Sequence, residues 1–181
     1  GLGGDTSFWS TRLEAIQYIP LSRRVSLGFR AQSEYVRPYS DTAVINTDGE
    51  DGLPIFEKVF LGGEYSVRGY DIRAISPRNE QGFIVGGNKS LLFNGELLVN
   101  VAGPVRAVLF YDAGQVQERN SRFRFDDFRT STGLEVRFFM PVLNVPFRLI
   151  GAWNPQREGI LDNQLNPAKR FTFKFAVGST F

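Results

Sequence analysis

Histidine and cysteine are both absent from this 181-residue chain, and methionine occurs once. Without cysteine there is no disulfide framework and no thiolate metal site. Without histidine the chain lacks the commonest general base at neutral pH and the commonest neutral metal ligand. A Ser-His-Asp triad or a histidine-held metal is therefore excluded, and only an Asp/Glu-only site stays open to an enzyme reading. The expectation is no enzyme, no metal and no cofactor. Long apolar runs are missing too: nothing reaches the roughly 18 residues of a transmembrane helix. No charged start followed by an apolar core marks a signal peptide. The opening Gly1-Leu2-Gly3-Gly4 reads as the interior of a longer chain. Net charge is also small, with 21 Lys+Arg against 19 Asp+Glu giving +2, which is no reason to expect a nucleic-acid partner.

What the chain has is phenylalanine, at 17, and glycine, at 19. The aromatics are interleaved with polar residues, and the dominant period is two. Trp9, Leu13, Ala15 and Ile19 alternate with Ser10, Arg12, Glu14 and Tyr18, followed by a turn at Pro20-Leu21-Ser22. Val25, Leu27, Phe29, Ala31 and Tyr35 alternate with Ser26, Gly28, Arg30, Gln32 and Glu34. A third strand runs from Asn88 to Val101, a turn follows at Ala102-Gly103-Pro104, and a fourth strand starts at Val105. A polar loop over residues 115–128, a fifth strand through Leu134 and Phe138, and a turn from Pro141 to Pro146 come next. A sixth strand from Phe147 to Trp153, a polar loop over 155–169, and a seventh strand from Phe171 to the terminal Phe181 complete the chain. Seven strands of roughly 10 residues or more are expected, joined by connections that alternate short and long.

Residues 37–87 break the pattern, and a connection this long is usually functional. At its centre lies Phe60-Leu61-Gly62-Gly63-Glu64-Tyr65-Ser66-Val67-Arg68-Gly69-Tyr70. Gly62-Gly63 lets the backbone turn through conformations that a Cβ atom forbids. The segment reads as a shaped tip that presents the single charge of Arg68.

Strands of this length, apolar on one face and charged on the other, fit a bilayer crossed at a tilt. The fold class expected is all-β: an antiparallel transmembrane β-barrel. Lipid satisfies no backbone group, so the strands must close into a barrel or pair with the rest of a larger one. The short turns then lie on the periplasmic side and the long connections outside. Seven crossings with an external start suggest a C-terminal piece of a larger barrel, because single-chain bacterial barrels normally have an even strand number. Arg12, Glu14, Arg30, Glu34, Glu96, Asp112, Glu135, Arg137 and Arg148 fall on the polar face by parity, and most read as ordinary lumen lining. Glu96 and Asp112 stand apart. Counted from Gly103 they lie seven back and nine forward, an offset of about two, which makes them diagonal neighbours. Two carboxylates facing one lumen repel unless a cation sits between them. Arg68 is the candidate, since its planar fork bonds two carboxylates at once.

Gly62-Gly63 with Val67-Arg68-Gly69-Tyr70, then Gly86-Gly87-Asn88, Glu96, Phe110-Tyr111-Asp112-Ala113-Gly114 and the ending Phe173 to Phe181 resemble the BamA family of outer-membrane assembly insertases. More widely, they resemble the superfamily that includes two-partner secretion transporters. The match runs in order over residues 56–181; residues 1–55 fit by strand pattern only. The resemblance implies a sixteen-stranded barrel in the bacterial outer membrane, of which these are the last seven strands, with 37–87 as the extracellular loop that tucks into the lumen. It also implies periplasmic repeat domains before the barrel, a pairing of Arg68 with Glu96 and Asp112, and a terminal strand at a seam that opens to client strands. Phe173, Phe175, Val177, Gly178 and Phe181 belong to that strand, and Gly178 adds little packing near its end. Implied partners are outer-membrane lipids, unfolded β-barrel clients and accessory lipoproteins. The alternative is a secretion pore of the same superfamily. A passive porin leaves the arginine tip unexplained.

Overall fold

A computed structural model describes residues 6–44, 51–140 and 145–181. The Gly1–Gly4 opening and most of the Pro141–Pro146 turn therefore lie outside the described residues. Seven strands form one antiparallel sheet in sequence order. They are β1 (Phe8–Pro20), β2 (Val25–Pro38), β3 (Lys89–Ala102), β4 (Val105–Gln117), β5 (Arg129–Phe139), β6 (Pro146–Trp153) and β7 (Phe171–Val177). Among the described residues β1 and β7 pair with each other nowhere, so the sheet is open and each keeps one free edge. The described residues contain no α-helix, and none is long and apolar enough to cross a membrane, which leaves crossing by strands untouched.

The two faces are inverted relative to a protein that folds in water. Phe29, Phe93, Leu109, Leu134, Leu149, Phe173 and Phe175 are exposed, whereas Arg30, Asn94, Glu96, Asp112, Glu135 and Arg148 are buried. Register joins the apolar positions into rows. Ile19, Leu27, Leu97, Leu109, Leu134, Gly151 and Phe173 face one another in succession across all seven strands. Such a belt is stable only against hydrocarbon, where its transfer from water is favourable by about 1.5–3 kcal/mol per large side chain. The opposite face is covered by the segment between β2 and β3. Its residues Leu61, Val67, Tyr70, Ala74 and Ile75 pack with Leu92 and Val116 of the sheet and with Ala168.

Three expectations need correction. The loop expected from residue 115 starts later, because β4 continues to Gln117 and buries Gln115 and Val116 opposite Leu91 and Ser90. The last two strands fall short of ten residues, at 8 and 7. Nor does the final alternation reach the terminus. Gly178 sits at φ +103°, in the left-handed region, and ends β7 at Val177. That turn swings Thr180 into a buried position, and Phe181, expected on the lipid face, stacks on Tyr18 of β1 with ring centroids 5.9 Å apart. Within the described part of 37–60 no further strand forms; the segment holds short 3-10 turns at Ser40–Ala43 and Ile55–Glu57 and a bridge from Val59 to Gly87.

A charge on the outer belt should be costly. Leu109→Arg is expected to destabilise the protein in a bilayer by about 2–4 kcal/mol, read as a shift in its denaturant midpoint. An unchanged midpoint would place that face away from hydrocarbon.

Candidate functional site

The arginine tip is built by its own backbone before it meets the sheet. Leu61 and Ile75 exchange both backbone hydrogen bonds, at 3.1 and 3.0 Å, which closes the base of the loop. Above them the Gly63 N–H donates to the Tyr70 carbonyl at 3.0 Å, and the Gly62 N–H to Ser66 Oγ at 2.9 Å. Gly62 adopts φ +108°, and a Cβ there would stand 2.3 Å from the Asp71 carbonyl oxygen. Gly69 is needed for close approach: a Cβ would lie 1.7 Å from Asn154 Oδ1 and 2.5 Å from Ser131 Oγ. The tip thus reaches the sheet backbone-first, with Val67 and Tyr70 buried on either side of Arg68.

Arg68 is completely buried and uses most of its donors on carboxylates. Nε and Nη2 form a fork onto the two oxygens of Asp112, at 2.8 and 2.7 Å, while its backbone N–H adds a third bond at 3.0 Å. Nη1 donates to Glu96 Oε1 at 2.7 Å and to Glu135 Oε2 at 3.0 Å. Phe110 lies beneath, with its ring centre 3.9 Å from the guanidinium carbon. Register explains the convergence. Asp112 faces Asn94 across β3 and β4, Glu96 faces Phe110, and Glu135 on β5 faces Val108.

The charges balance within the cluster. Glu135 also accepts from Arg137 and from Arg148, the latter at 2.8 and 3.0 Å, and Arg137 donates to Glu96 at 2.6 Å. Three guanidiniums (Arg68, Arg137, Arg148) therefore meet three carboxylates (Glu96, Asp112, Glu135), all buried. Burial alone works against the Arg68 charge, but Asp112, Glu96 and Glu135 outweigh it and hold its pKa above the ordinary arginine value. An Asp/Glu-only catalytic pair needs a carboxylate free to exchange a proton. Here each carboxylate is bonded to a guanidinium, and the arrangement ties the loop to the sheet.

Sequence reasoning named Arg68, Glu96 and Asp112 and read Glu135, Arg137 and Arg148 only as lumen lining. It did not single out Asn94, which donates to Asp112 at 2.8 Å and to the Ser66 carbonyl at 2.7 Å, nor Asn154, which donates to the Gly69 carbonyl at 2.8 Å. Phe173, Phe175 and Val177 stay on the exposed outer face, away from the cluster. The tail returns to it: Thr180 Oγ1 accepts from Arg148 at 2.6 Å and from Arg137 at 3.2 Å.

Removing one charge should undo the balance. Arg68→Ala leaves three carboxylates against two guanidiniums and is expected to destabilise the docked loop by about 3–5 kcal/mol. Protease should then cut the 52–87 segment in lipid-embedded protein, and protection equal to the parent's would overturn the anchoring role. Arg68→Lys should rescue only in part, since an ammonium cannot fork across Asp112. Tyr70 supplies a pH test. Burial pushes its hydroxyl from 10.0 up to about 12, where it donates to the Gln156 carbonyl at 2.8 Å. A raised pKa means that this contribution is complete below pH 10 and is lost as pH climbs to about 12. Loop protection should fall across that window in the parent, and the fall should be smaller in Tyr70→Phe.

Residues 1–181 all match the family model of the Omp85 superfamily domain. The outer membrane protein assembly factor BamA of Nitratidesulfovibrio vulgaris is 29% identical over 150 residues, covering 81% of this chain and 18% of that protein. BamA of Neisseria meningitidis serogroup B is 31% identical over 136 residues, covering 62% of this chain and 17% of that protein. The chain thus spans less than a fifth of the length of these relatives. A crystal structure of BamA from Haemophilus ducreyi lacking POTRA domains 1-3 shares the fold, with a TM-score of 0.73 at 19% identity, over 98% of this chain and 36% of that one. With its lipid-facing belt and its match over the full length, the chain belongs to the Omp85 superfamily of outer-membrane β-barrel proteins, where it is similar to the BamA assembly factors.

Proposed function

We propose that this chain is the C-terminal part of a single barrel that assembles and inserts other β-barrel proteins into the bacterial outer membrane. In this reading the seven strands complete a sixteen-stranded barrel, periplasmic repeat domains precede it, and the long connections, 37–87 among them, lie on the extracellular side. The docked tip fixes the wall formed by β3 to β5. The working element is the end of that wall, where β7 offers a free edge to an incoming strand. Local thinning of the bilayer beside the short terminal strand lowers the barrier to insertion. Partners are outer-membrane lipids, unfolded β-barrel clients and accessory lipoproteins. No bond is made or broken.

The observation that carries the reading is the terminal strand. It has seven residues, pairs with β6 alone among the described residues, and shows Phe171, Phe173 and Phe175 outward. A strand so short and half-paired is the weakest joint of the sheet. The similarity to proteins named as assembly factors supports the same reading.

The test is client folding. The intact protein in liposomes should accelerate insertion of an unfolded barrel protein, and Arg68→Ala should lose most of that acceleration. Passage of an unfolded exoprotein into the vesicle, with no gain in client insertion, would favour the secretion pore instead.

A further inference from the structure

The terminal strand is held by more than β6. Two of its three inward side chains, Thr172 and Lys174, end on the arginine tip, while Ala176 packs with Phe110, Ile150 and Ala152. Thr172 Oγ1 donates to the Gly69 carbonyl at 3.2 Å. Lys174 Nζ donates to the Tyr70 carbonyl and lies 3.7 Å from Asp71 Oδ1. Tip residues 69, 70 and 71 thus meet positions 172 and 174, two residues apart and so on one face of β7. Asn154, just past the end of β6, donates to the same Gly69 carbonyl. At the strand's other end the Tyr65 hydroxyl donates to the Val177 carbonyl. β7 cannot leave β6 without breaking these bonds or carrying the tip with it.

The two sets of contacts differ in kind. Arg68 and its carboxylates are fully dry. The Lys174–Asp71 pair is not: its side chains are 18% and 41% exposed, beside a cavity of about 470 Å³ shared with Asp162 and Lys169. Water can replace the partners of a partly exposed pair at smaller cost, whereas a fully buried charge has nowhere to go. The tip therefore has a permanent anchor on one side and a releasable contact on the other.

We propose that Thr172 and Lys174 are positioning residues that latch the terminal strand to residues 69–71 of the docked loop, so that release of this latch sets how readily β7 parts from β6. The proposal rests on the assembly reading for its consequence, since a client strand that adds at the free edge of β7 needs that strand free to shift. The latch itself is a matter of strand protection and can be measured without any client.

The experiment compares the intact parent with Lys174→Met, Lys174→Arg and the Thr172→Val/Lys174→Met double variant, all in lipid. Deuterium exchange is followed at the amides of residues 171–177, with β3 and β4 as internal reference. Lys174→Met should speed exchange in β7 by about tenfold and leave β3 and β4 unchanged. The double variant should exchange faster still. Lys174→Arg, which keeps both a donor for the carbonyl and a charge for Asp71, should restore protection. Unchanged exchange in the double variant would overturn the latch, and so would faster exchange spread evenly over the sheet. Client insertion measured in parallel should rise in Lys174→Met, the opposite of what a merely damaged barrel would do. Faster β7 exchange in a protein whose parent inserts no client would leave the latch standing and remove the assembly reading.

Discussion

A guanidinium surrounded by three carboxylates in a water-poor interior fixes much else in this chain. Arg68 can be buried only because Asp112, Glu96 and Glu135 neutralise it, and those carboxylates can be buried only because Arg68, Arg137 and Arg148 neutralise them. Neither the loop nor the polar face of the sheet is electrically stable alone. Charge balance therefore ties a segment distant in sequence to β3, β4 and β5. The geometry of that tie explains the local sequence. A fork onto Asp112 requires the backbone to come close, so Gly69 follows Arg68, and Gly62 lets the chain turn back on itself.

From this anchor the mechanical roles separate. The wall from β3 to β5 is long, with 11 to 14 residues per strand, and clamped from inside. The end of the sheet is short, at 8 and 7 residues, and terminates at a glycine turn. A long, clamped wall beside a short end strand is what the proposed assembly role calls for. The tail adds a last connection, because Thr180 reaches Arg137 and Arg148 of the same cluster.

The fold was largely legible because its period is so plain. An alternation of aromatic and polar residues leaves little choice of secondary structure, and the count of seven strands and the direction of each face follow from it. The site was legible where register could be counted. Glu96 and Asp112 flank the tight turn at Gly103-Pro104, so their relative height follows from arithmetic. Glu135 lies beyond the long loop at 118–128 and Arg148 beyond another connection, and no count crosses either. Phe181 was misplaced for a different reason: alternation was carried straight through Gly178, where the backbone turns. The end of β4 was misjudged because a polar residue such as Gln115 looks like loop but is buried.

The most direct measurement is a double-mutant cycle between Arg68 and Asp112, using unfolding free energies of the intact protein in lipid. If a buried charge balance anchors the loop, Arg68→Ala and Asp112→Asn should each be costly, and the double variant should cost little more than either alone, a coupling on the order of 2–3 kcal/mol. Costs that simply add would mean that the two side chains act independently, and the loop would then owe its position to something other than this cluster.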